Sequence, residues 1–106
     1  MYEPEPIDRK FKILAVNQCK TGAVYTEMDG FFFKAVDKHA LAALDGYIAA
    51  ISEDKAVGDE QVRGAELLRE RVALHQHKFG TKVPDVDAGI EAGTVLMPNK
   101  NVYERR

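Results

Sequence analysis

The sequence predicts an α+β domain: a three-stranded antiparallel meander, then a two-helix antiparallel hairpin, then an irregular C-terminal arm. Three observations carry that expectation. Short β-favouring runs separated by turn residues occupy 11–36, apolar residues recur at helical spacing over 38–79, and prolines and glycines without any period punctuate the stretch that follows. A chain of 106 residues, 45% hydrophobic and 30% charged, is sized for one core and lies far from the composition of disorder.

Residues 1–8 carry Pro4 and Pro6 and no periodicity, and read as a flexible N-terminal arm ahead of a single domain over 9–80. From Phe11 the chain runs FKILAVNQC, KTG, AVYTEM, Asp29-Gly30 and FFFKAV, which reads as three strands in meander order. An Asp-Gly pair supplies the positive φ angles of a type I′ turn, whose twist matches paired strands. Counting outward from that turn, Met28 faces Phe31, Glu27 faces Phe32, Thr26 faces Phe33, Tyr25 faces Lys34 and Val24 faces Ala35. One face then carries Val24, Thr26, Met28, Phe31, Phe33 and Ala35, the core side. The other carries Tyr25, Glu27, Phe32 and Lys34. If Lys20-Thr21-Gly22 turns with Gly22 left-handed, Leu14 and Val16 join the core face and Ile13, Ala15 and Cys19 the second; a four-residue loop would swap them.

Asp37 is placed to cap a helix running from Lys38 to about Ser52, with Leu41, Leu44, Ile48 and Ile51 as its apolar stripe. SEDKAVG at 52–58 is a polar connection, and Asp59 can cap a second helix over Glu60–Phe79 that ends at Gly80. Ala65, Leu68, Val72, His75 and Phe79 gather on one side of that helix, while Leu67 and Leu74 lie roughly 130° away. Either the helix is wedged between its neighbour and the sheet, or Leu67 and Leu74 face a second subunit. The C-terminal arm, 81–106, contains Pro84 and Pro98 and one strand-like run, GTVLM; it is expected to pack on the body or on a partner chain.

Chemistry is sparse. Cys19 is the only cysteine, which excludes an intrachain disulfide and fits a reducing compartment. No histidine or carboxylate near it in the sequence marks it as a nucleophile. His75 and His77 are two apart on a helix and diverge by roughly 160°, and His39 opens another helix, so no metal site is expected. His75, on the apolar stripe, is expected to be partly buried and hydrogen-bonded. Glu27 with Asp29, and Asp85 with Asp87, read as turn and solvated charge rather than acid–base pairs. There is no phosphate-binding glycine loop, and no cofactor is expected. Arg63, Arg69 and Arg71 point to different sides of the second helix and interleave with Glu66 and Glu70, an ion-paired face. With a formal net charge of -2, nucleic acid is a disfavoured partner. The acidic N-terminus has no secretory pattern and no apolar run is long enough to span a membrane, so a cytoplasmic, non-enzymatic protein is expected.

The surfaces left for function are the outer sheet face, with Tyr25 and Phe32 as neighbours beside Glu27 and Lys34, and the Leu67/Leu74 stripe. The runs YTEMDGFFFKAVDKHALAAL, QVRGAELLRERVALHQ and KVPD, within 24–85, resemble small uncharacterised proteins of bacteriophages and prophages. That resemblance implies a compact accessory protein that works by binding and assigns no site residues. The expected function is a protein-interaction module meeting a protein partner or a second copy of itself. The alternative is a small-ligand or nucleotide-binding protein with a cleft between sheet and C-terminal arm.

Overall fold

The computed structural model describes residues 5–19, 22–87 and 90. The fold is α+β: β1 (Leu14–Val16), β2 (Val24–Thr26), α1 (Ala40–Glu53) and α2 (Asp59–Phe79). The described residues group into two compact units, one holding both strands up to Phe32 and one spanning Phe33–Pro84 with both helices.

In the first unit β1 and β2 form a two-stranded antiparallel sheet with Leu14 opposite Thr26, Ala15 opposite Tyr25 and Val16 opposite Val24. Leu14 and Val16 therefore share a face with Val24 and Thr26, and Ala15 shares the other with Tyr25, the parity expected. Gly22, at φ 80°, takes the left-handed conformation expected of it in the connection.

The third strand and its Asp-Gly turn are a correction. Residues 31–34 lie outside the ladder, and Gly30 is not among the glycines of positive φ that a type I′ turn would need. The reversal comes one step earlier and by other means. Asp29 donates its amide to the Thr26 carbonyl (2.9 Å) while its carboxylate accepts the Thr26 amide (2.9 Å), and Thr26 Oγ1 accepts the Met28 amide (3.2 Å). Aspartate and threonine side chains compete locally for backbone groups that a hairpin would use, and here they win. The register that paired Tyr25 with Lys34 and Glu27 with Phe32 falls with the strand.

The assigned core face is a second correction. Val24, Phe31 and Phe33 are 50%, 66% and 51% exposed and Tyr25 and Phe32 are 45% and 49% exposed, so neither set is hidden. The physical reason is that a two-stranded ribbon presents too few side chains on either face to build a core of its own.

In the second unit the helices form an antiparallel hairpin joined by residues 54–58, with α2's C-terminal end tied back to the chain entering α1. α1 starts two residues later than expected because Asp37 spends its carboxylate on the His39 amide (2.8 Å), an Asx turn rather than a helix cap. The Lys38 amide goes instead to the Lys82 carbonyl (2.8 Å), part of a parallel bridge between Asp37 and Lys82. At the start of α2 the cap is Gly58, not Asp59: its amide donates to the Gln61 side chain (2.7 Å), while Asp59 and Glu60 sit favourably in the positive first turn.

α2 ends at Gly80, with φ 79° and ψ -169°, a region open essentially to glycine alone. A Cβ there would meet nothing, so the strain of a substitution is purely backbone. Gly80→Ala should cost about 1–3 kcal/mol, read as a lower thermal unfolding midpoint with unchanged helix content.

Candidate interaction surface

The first unit is organised around one buried carboxylate, Asp8, which is 5% exposed. Its Oδ1 accepts the amides of Lys10 (2.8 Å) and Phe11 (2.9 Å), and its Oδ2 accepts the amide of Phe32 (2.8 Å). The amides of Ile7 and Asp8 donate to the Glu27 carbonyl (2.8 and 3.2 Å). What read as the end of a structureless arm is thus fastened to the end of β2. Burial pushes the Asp8 carboxyl up, but the amides of Phe11, Phe32 and Lys10, with the charge of Lys10, outweigh it and hold the group below the ordinary aspartate range.

Of the residues expected to form the outer sheet surface, Tyr25 is 45% exposed and stands opposite Ala15. Phe32 meets Phe11 edge-on, with centroids 5.3 Å apart. Glu27 turns inward: Oε1 accepts the Ile13 amide (2.9 Å), replacing a ladder bond past the end of β1, and Oε2 lies 3.5 Å from Lys12 Nζ. The Ile13 amide, then Glu27's own amide, lower its pKa against a smaller opposing effect of burial, with Lys12 adding to the lowering. Lys34 belongs to the second unit.

Beside the clamp lies an open hollow of about 310 Å³, lined by Pro6, Asp8, Phe11, Glu27 and the basic side chains Arg9, Lys10 and Lys12. Both of its carboxylates accept backbone amides, Asp8 through both oxygens and Glu27 through Oε1. The cleft imagined between sheet and C-terminal arm, and the GTVLM run, lie mainly or wholly outside the described residues.

In the second unit the face of α2 turned to α1 is centred on Ala65, Arg69, Val72 and Gln76, so the stripe read from the sequence is rotated to one side of the true contact. Leu68 and Phe79 are consequently 44% and 62% exposed. Arg69 crosses to Asp45 on α1 through Nε–Oδ1 and a second contact, Nη2 to Oδ2 at 3.2 Å. The bond to Arg69 lowers the Asp45 pKa and raises that of Arg69. Arg63 pairs with Glu66 at 3.6 Å, as the spacing suggests. Gln76 Nε2 donates to the carbonyls of Ala35 (2.8 Å) and Asp37 (3.0 Å), closing the open end of the hairpin.

Leu67 and Leu74, 37% and 68% exposed, lie on the side of α2 away from α1. His75 is another correction: it is exposed, its ring 4.6 Å from that of Phe79, with Lys78 Nζ 5.4 Å from the same ring. Cys19 is an exposed thiol. Among the described residues no group of three or more histidine, cysteine or acidic side chains could hold a metal ion, and no helix is long and apolar enough to cross a membrane.

Sequence reading missed Asp8, Gln76 and the Asp45–Arg69 pair. No local signal sets Asp8 apart, because any aspartate has backbone amides two and three residues on that it can accept. Comparison with protein-family models, curated proteins and solved structures finds no match for this chain.

Proposed function

We propose that the protein is a non-enzymatic interaction module whose apolar surface is completed by another protein chain, as an accessory protein of the kind the phage resemblance implies would be. One observation supports this reading above others. Among the described residues the buried apolar side chains are Ala40 and Ala65, whereas Leu14, Val16, Phe31, Leu74 and Phe79 are each 60% exposed or more. Within the first unit Leu14 and Val16 share one face of the ribbon with Val24, an exposed apolar patch of the kind that meets a partner.

Mass in solution tests the reading. Wild-type protein should exceed the mass of one chain, and comparison with Leu67→Glu/Leu74→Glu locates the contact: reversion to one chain assigns the outer face of α2, and an unchanged mass assigns the first unit. A single-chain mass at every concentration, with a melting temperature raised by a nucleotide or metal, would favour the ligand-binding class instead.

A further inference from the structure

The two edges of the β1–β2 ribbon are not alike. Asn17 donates its amide to the Ala23 carbonyl (3.0 Å), so by the alternation of an antiparallel ladder Ala15 and Tyr25 exchange backbone bonds while the amides and carbonyls of Leu14 and Val16 point outward. On the far side, β2 spends its outward groups at Thr26 on Asp29, through both the amide and the carbonyl. Among the described residues nothing does the same for β1. Leu14 and Val16 are 77% and 60% exposed, so an unblocked edge coincides with apolar side chains, the combination that templates strand addition.

We propose that a second copy of this chain occupies that edge, with β1 pairing antiparallel to β1 about a two-fold axis through Ala15. The inference rests on the interaction reading and names its surface and partner. In this register Leu14 exchanges two backbone bonds with Val16 of the second copy, and Val16 two with its Leu14, which uses the outward groups and no others. The residue at the axis, where the chains come closest, is alanine. Lys12 falls opposite Gln18 and Ile13 opposite Asn17, so between 12 and 18 no like charges meet, and a net charge of -2 leaves little repulsion between copies. The product is a four-stranded sheet in which Leu14, Val16 and Val24 of both copies form one face. It passes the strand number at which a ribbon becomes stable.

Two variants of the full chain test this. Val16→Pro removes only an outward amide, tolerable within the chain's own ladder, and should halve the mass of the assembly while leaving the circular dichroism unchanged. Ala15→Cys, with Cys19→Ser, should oxidise to a covalent dimer roughly tenfold faster than Val24→Cys in the same background, because position 15 meets its own copy at disulfide distance and position 24 does not. If Val16→Pro fails to fold, the cross-linking rates decide. An assembly that survives Val16→Pro, with Ala15→Cys no faster than Val24→Cys, overturns the β1 pairing but leaves the interaction reading standing. A single-chain mass for wild type at all concentrations overturns the pairing, and if no other protein binds the chain, the interaction reading too.

Discussion

Replacing Asp8 with alanine should cost about 2–4 kcal/mol of stability, because it strands the amides of Lys10, Phe11 and Phe32 that now share one ionised carboxylate. The pH dependence identifies the cause. The folded carboxyl titrates below the ordinary aspartate range, so its contribution is present above that range and is lost as pH falls through the lower folded value. Glu27 acts in the same direction. In chemical denaturation the gap between wild type and Asp8→Ala should be widest near neutrality and shrink below the ordinary aspartate range. A gap that holds constant through that window would mean the charge is not what the amides need.

Gln76→Leu should lose about 1–3 kcal/mol. One amide group now satisfies two carbonyls, those of Ala35 and Asp37, at the point where the chain enters α1. Leucine fills similar space and leaves both acceptors without that donor. The same bonds align Val36 and Lys38 with Lys82, so hydrogen exchange at the Lys38 and Lys82 amides should accelerate along with the drop in unfolding midpoint. Unfolding at the wild-type midpoint with unchanged exchange would show that the hairpin's open end is closed by something else.

Much of the helical part was legible because its signals are repetitive. Leu41, Leu44, Ile48 and Ile51 mark one face over about three turns, and the glycine after Phe79 marks a stop, so α1 and α2 were placed within two residues of their observed ends. What periodicity could not resolve was rotation. Arg69 and Gln76 sit on the contact face of α2 with their polar ends turned to Asp45 and to backbone carbonyls, and a count of apolar residues slides past them toward Leu68 and His75.

The ribbon was less legible because it turns on single side chains. Asp29-Gly30 satisfies the pattern of a hairpin turn, yet the Asp29 carboxylate closes a turn on Thr26 first, and the strand that would have followed does not form in the ladder. The expected surface of Tyr25, Glu27, Phe32 and Lys34 depended on that strand. Without it Glu27 serves the backbone, Phe32 leans on Phe11, and Lys34 lies in the other unit. Parity survived for Leu14 and Val16 because it needs only the short connection ending in Gly22.

Residue-resolved hydrogen exchange across β1 most directly tests whether β1 of a second copy completes the ribbon. The amide of Ala15, inside the chain's own ladder, should be protected at every concentration, while those of Leu14 and Val16 should pass from rapid exchange in dilute protein to protection as concentration rises. Rapid exchange at Leu14 and Val16 at every concentration, with Ala15 protected throughout, would contradict the account.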